Sequence, residues 1–92
     1  MGRVPMADRP RLAPGVRLHH DQVRGAWVLL SPERIIETEG PAHDILSRCD
    51  GSRTMDQIVD ELAEQYAAPR AEIATDVEAL LTELAAKRMV VR

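Results

Sequence analysis

His19, His20 and Asp21, with His43 or Cys49 as a distant further ligand, are the residues of this 92-residue chain whose types and spacing suggest a metal site. Adjacent residues on a strand point to opposite faces, so His19 and His20 cannot both reach one ion without distorting the strand. The pattern reads as surface histidines, and no metal is expected. Cys49 has no second thiol for an intrachain disulfide or a shared ion, which suits a core position in a reducing cytoplasm. Ser31, Ser47 and Ser52 fall in turn or helix contexts without a nucleophile elbow, and no glycine-rich phosphate loop occurs. The acids scatter along outer helix faces. The chain therefore reads as a non-enzyme without a cofactor.

A different chemistry is suggested by Ile35 and Ile36 in "SPERIIETEG", residues 31–40. In a strand one of the two can enter the core while the other cannot. If this strand lies at a sheet edge, it shows unpaired N–H and C=O groups to which an extended peptide can add. Cover by a flanking segment or by a second copy of the chain is the plainer alternative.

The elements that would position these residues follow from periodicity. The first fourteen residues, with three prolines and no period, read as a flexible arm. From Gly15 to Glu39, "VRLHHD", "AWVLL" and "ERIIETE" read as three antiparallel strands joined by hairpin-sized turns. After Gly40 the spacing becomes helical. Ala42, Ile45, Leu46 and Cys49 form one stripe, and Gly51 suits the stop. A second helix opens on Thr54, with Gln57 at capping-box spacing, and carries Met55, Ile58, Val59, Leu62 and Tyr66. Pro69 opens a third, in which Ile73, Val77, Leu80, Leu81 and Leu84 share about 100° of arc. "MVVR" closes the chain as an extended tail. The expected domain, residues 15–92, is thus α+β and winged-helix-like, a three-stranded antiparallel sheet followed by three helices.

Charge narrows the partners. Residues 1–25 carry five Arg against two Asp, while residues 26–92 carry seven basic against thirteen acidic side chains, which together give the net −3. The second helix presents Asp56, Asp60, Glu61 and Glu64, and the third Glu72, Asp76, Glu78 and Glu83. Such faces repel phosphates, so a winged-helix DNA-binding regulator is disfavoured and no nucleic acid is expected. No run approaches the roughly 18 apolar residues of a membrane helix, and no membrane partner is expected.

Three stretches, taken in this order, carry a resemblance: "RGAWVLLSPERI" (24–35), Cys49 to Val59 with its "CDG", and "APR" (68–70) before the acidic helix. From Pro14 to the C-terminus the chain resembles the PqqD family of pyrroloquinoline quinone (PQQ) biosynthesis. That resemblance implies a peptide chaperone that binds the precursor peptide PqqA by strand addition and presents it to the radical S-adenosylmethionine enzyme PqqE. The alternative that goes with it, a carrier of the quinone product or an intermediate, would need an aromatic or basic pocket, for which Trp27, near His19 or Arg24, is the only offer. The resemblance places the peptide on Arg34, Ile35, Ile36, Glu37 and Thr38 of the third strand. On the third helix it places it on Ile73, Asp76, Val77, Leu80 and Leu81. The "TEGPA" corner (38–42) departs from the family pattern by a Gly-Pro, a place where two chains could exchange strands into a homodimer.

Overall fold

The computed structural model describes residues 8–92; the first seven residues of the expected arm lie outside them. Eight elements follow in order: β1 (Arg11–Leu12), β2 (Arg17–Asp21), β3 (Ala26–Leu30), β4 (Ile35–Glu37), α1 (Ala42–Ser47), α2 (Met55–Tyr66), α3 (Arg70–Ala86) and β5 (Val90–Val91). Strands β2, β3 and β4 form the expected antiparallel meander in that spatial order, so β4 is an edge. The fold is α+β, with this sheet packed against three helices.

Alternation sorts the sheet into two faces. Leu18, Leu29 and Ile36 lie in one cross-strand row and pack toward the helices, with Leu29 fully buried. Ile45, Leu46 and Cys49 from α1 and its exit, Met55, Ile58, Val59 and Leu62 from α2, and Val77, Leu81 and Leu84 from α3 complete the core. The capping box at the start of α2 forms as its spacing requires. Thr54 Oγ1 accepts from the Gln57 N–H at 3.1 Å, and Gln57 Oε1 accepts from the Thr54 N–H at 2.9 Å. Among the described residues, no helix is long and apolar enough to cross a membrane.

The arm, expected to be loose, is ordered in its described part. In the described part of the arm, β1 pairs antiparallel with β5, matching Arg11 to Val91 and Leu12 to Val90. Pro10 is buried, and the Pro10 carbonyl accepts from Gly51 N–H at 3.1 Å. Met55 N–H donates to the Asp8 carbonyl at 2.8 Å, and Leu12 N–H to Cys49 O at 3.2 Å. The C-terminal "MVVR" is likewise structural, with Met89 and Val90 in the core. Arg92 forms a two-pronged bond to Glu78, with 2.9 and 3.0 Å contacts, and this bond holds the Glu78 carboxyl below the usual carboxylate range.

Helix ends show two departures from glycine. α3 closes with Met89 N–H on Leu84 O at 2.9 Å and Arg88 N–H on Ala85 O at 3.0 Å, the paired bonds of a Schellman ending. The left-handed position of that motif is filled by Arg88, at φ 61°. α2 ends on Ala67 at φ 51°. A left-handed L-residue costs about 1–2 kcal/mol, partly offset because glycine loses about 0.5–1 kcal/mol more on folding.

Two predictions follow from these packing facts. Ala67→Gly raises stability by about 0.5–1 kcal/mol, read as a Tm increase of a few degrees by differential scanning calorimetry. Cys49 is buried, and its Sγ donates to Ile45 O at 3.3 Å. Burial, with a smaller push from the Asp50 carboxylate, drives its pKa up to about 12 from the ordinary 9.0. A raised pKa means the unfolded chain gives up this proton first, so the thiol's contribution is intact below pH 9.0 and fades as pH climbs toward 12. Urea titrations across that window show a shallower alkaline decline for Cys49→Ala than for the parent. Ellman's reagent at neutral pH labels Cys49 only as fast as the chain opens.

Candidate functional site

The hydrogen-bond alternation of β4 decides which of its groups are free. Ser31 N–H donates to Arg34 O at 3.0 Å and Thr38 N–H to Trp27 O at 2.9 Å, while the register sets Ile36 opposite Leu29. In an antiparallel ladder these pairs alternate, so the N–H and C=O of Ile36 point into the sheet and those of Ile35 and Glu37 point away from it. Among the described residues no strand pairs with that outer side. The side chains alternate independently of this. Ile36 packs against the core, whereas Ile35 stands on the opposite face, 64% exposed.

The two ends of β4 are locked. At its head, Ser31 Oγ accepts from Arg34 N–H at 3.2 Å and donates to Arg34 O at 3.1 Å. At its foot the Thr38 hydroxyl donates to Trp27 O at 2.8 Å. Gly40 then turns the chain at φ 54°, a left-handed conformation that favours glycine, and Pro41 leads into α1. This is the Gly-Pro corner singled out in the sequence.

Between β4 and α3 lies a cleft of about 300 Å³. Ile36, Ala42, Leu80 and Leu84 give it an apolar floor, and Glu37, Glu39 and Glu83 stand along it. A strand added to the outer groups of Ile35 and Glu37 would set alternate side chains on that floor. The exposed Arg24–Glu37 pair, at 3.4 Å, is too weak to close the margin.

The expected site residues therefore separate. Arg34, Ile35, Ile36, Glu37 and Thr38 all lie on or beside the open edge, and Leu80 faces it across the cleft. Val77 and Leu81 do not, because both are fully buried in the core. Ile73, Asp76 and the inner-lying Val77 line a separate apolar recess of about 70 Å³ with Pro41, Ile45, Leu62 and Tyr66. Sequence reasoning missed Glu39, Ala42, Glu83 and Leu84. The last two were recoverable, since they fall three and four residues beyond Leu80 and so share its helix face.

The other constellations settle into structural roles. The Trp27 ring stacks on His43 at 5.3 Å and 4°, and His20 tilts against it at 4.9 Å. The tryptophan thus lies against His20 and His43 rather than His19 or Arg24, and His43 already occupies its stacking position. No group of three potential ligands that could hold a metal occurs among the described residues. Glu61 takes Arg48 at 2.9 Å and Arg53 at 3.0 Å, and these bonds, Arg48's foremost, hold its carboxyl below the usual range. Arg70 clasps Asp56 and Asp60 across α2 and α3. Tyr66, expected in the apolar stripe, is 43% exposed and donates its hydroxyl to the Asp44 carboxylate.

The fold is a small α+β domain whose three-stranded sheet ends at β4, an edge with no further strand among the described residues. Residues 26–90 match the family model for coenzyme PQQ synthesis protein D (PqqD), and the chain belongs to that family. A "PqqA binding protein" of Rhodopseudomonas palustris (strain BisB5) is 46% identical over 84 residues, spanning 91% of this chain and 82% of that protein. One from Xanthomonas oryzae pv. oryzae (strain MAFF 311018) is 42% identical over 97% of both. Among solved structures, the solution structure of the PqqD truncation of Methylobacterium extorquens PqqCD superposes with a TM-score of 0.84 at 40% identity, covering 98% of this chain and 96% of that one. That truncation is described as a functional, stand-alone recognition element for ribosomally synthesized and post-translationally modified peptides. The crystal structure of PqqD from Xanthomonas campestris gives 0.61 at 41% identity, covering 98% and 99%.

Leu80 and Leu81 offer a direct check on the division between cleft and core. Leu81→Asp places an unpaired charge at a fully buried position, where even Leu→Ala costs about 2–5 kcal/mol, and the cooperative thermal transition is lost. Leu80→Asp, on the half-buried cleft wall, keeps a native circular-dichroism spectrum and a cooperative melt.

Proposed function

We propose that this chain binds the precursor peptide PqqA as an added strand along β4 and holds it for the radical S-adenosylmethionine enzyme PqqE, acting in the cytoplasm by binding rather than catalysis. The observation that carries this reading is the outward aim of the Ile35 and Glu37 backbone groups beside the apolar cleft. The curated relatives' name, PqqA binding protein, supports the choice of guest.

Magnitudes show why both halves of the site are needed. A backbone hydrogen bond nets about 0.5–1.5 kcal/mol, because water bonds are exchanged for it. Association itself costs about 4–15 kcal/mol. Two paired residues make at most four such bonds, about 2–6 kcal/mol, which reaches only the low end of that cost. Each apolar guest side chain buried in the cleft adds about 1.5–3 kcal/mol, so side chains supply affinity while the ladder fixes register. Tethering the peptide near an enzyme then raises its effective concentration without any catalytic residue here.

Proline separates the two sides of the strand. Glu37→Pro removes an outward N–H and leaves the β3 ladder intact, as edge prolines do. In fluorescence anisotropy with labelled PqqA it weakens binding about two- to tenfold with an unchanged fold, whereas Ile36→Pro removes an inward N–H and lowers Tm. Parent-like affinity in folded Glu37→Pro would rule out strand addition.

A further inference from the structure

A second cleft, of about 320 Å³, opens at the head of β4. Arg34, Lys87 and Arg88 contribute three cations to it and Glu33 one anion, a local balance of +2. The cleft beside Ile36 carries Glu37, Glu39 and Glu83 and no basic residue, a balance of −3. Arg34 precedes β4 and Glu39 follows it, so the edge runs from a positive end to a negative end. Lys87 and Glu83, bonded to each other at 3.2 Å and 40% and 61% exposed, join the two ends. Arg34 and Arg88, like Arg9, Arg11 and Arg17 elsewhere in the fold, carry no ion-pair partner among the described residues, whereas Arg48, Arg53, Arg70 and Arg92 are engaged.

Arg88 supplies an independent reason to read the positive end as functional. It sits at φ 61° in the helix-ending position where glycine is favoured, and its side chain helps wall the cleft. A strained residue that local stability does not call for is the sort that clusters at ligand sites.

We propose that the cleft walled by Arg34, Lys87 and Arg88 is a carboxylate subsite for the guest polypeptide, and that with the acidic cleft it fixes the direction in which the guest lies. Acidic side chains of the guest seat at the head of β4 and basic ones at its foot. A strand laid the other way brings like charges together at both ends. This rests on the strand-addition reading and specifies its guest by charge order.

Two charge probes and one variant test it. In amide chemical-shift maps, a capped tetraglutamate peptide perturbs Arg34, Arg88 and Met89, and a capped tetralysine peptide perturbs Glu37, Glu39 and Glu83. Absence of shifts, or the same residues moving with both probes, overturns the proposal. Arg88→Gly relieves the strained backbone, so its Tm stays level or rises, yet it weakens PqqA binding about two- to fivefold at low salt. That difference shrinks near 1 M salt, where the screening length is about 3 Å. Parent-like PqqA affinity for Arg88→Gly at low salt likewise overturns it. If Glu37→Pro impairs binding while Glu37→Gln and Arg88→Gly do not, the charge subsite fails and strand addition stands. If Arg88→Gly weakens binding and tetraglutamate maps to the head of β4 while Glu37→Pro is harmless, the subsite stands and strand addition fails.

Discussion

The pairing of Leu29 with Ile36 fixes everything the site depends on. Leu29 is fully buried in the core, and through the β3–β4 ladder it holds Ile36 on the same inner face. Once Ile36 faces inward, the pleat leaves no choice for its neighbours. Ile35 must turn its side chain to the outer face, and the backbone groups of Ile35 and Glu37 must face away from β3. A one-residue slip would put Ile35 in the core and reverse which amides are free. The open margin is thus a consequence of core packing, not a separate feature laid over it.

Much of the architecture was legible because it is periodic. The meander and three helices follow from alternation, helical stripes and the Thr54–Gln57 box, and the adjacent isoleucines announced an edge. What escaped notice depends on distant partners. β1 and β5 are two residues each, too short to carry a pattern, and they exist because Cys49, Asp50 and Met89 offer backbone bonds. Prolines in the arm suggested looseness, yet Pro10 is a buried anchor. The arc of α3 is one stripe in sequence, but its neighbours divide it. Val77 and Leu81 meet the core, Leu80 meets the cleft, and Ile73 turns to the recess beside Tyr66. Nothing in the spacing could have brought His43 onto Trp27.

The acidic character of the chain is also less uniform than its totals. Along α1, α2 and the start of α3, carboxylates are matched by Arg48, Arg53 and Arg70, which tie the helices together at their solvent faces. Exposed pairs of this kind add little stability one by one, though they do use up the cations available there. Of the arginines without an ion pair among the described residues, Arg34 and Arg88 lie at the head of β4, whereas Arg9, Arg11 and Arg17 lie on or beside β1 and β2.

The β1–β5 ladder has a further consequence. It sets Arg11 against Val91, and the Arg92 guanidinium reaches Asp8 at 3.5 Å, so the polypeptide enters and leaves the domain at one spot. Neighbouring entry and exit points suit insertion into a loop of a host protein or joining end to end with one, since neither strains the core. Extensions at either end of residues 8–92 would leave from the same side of the domain.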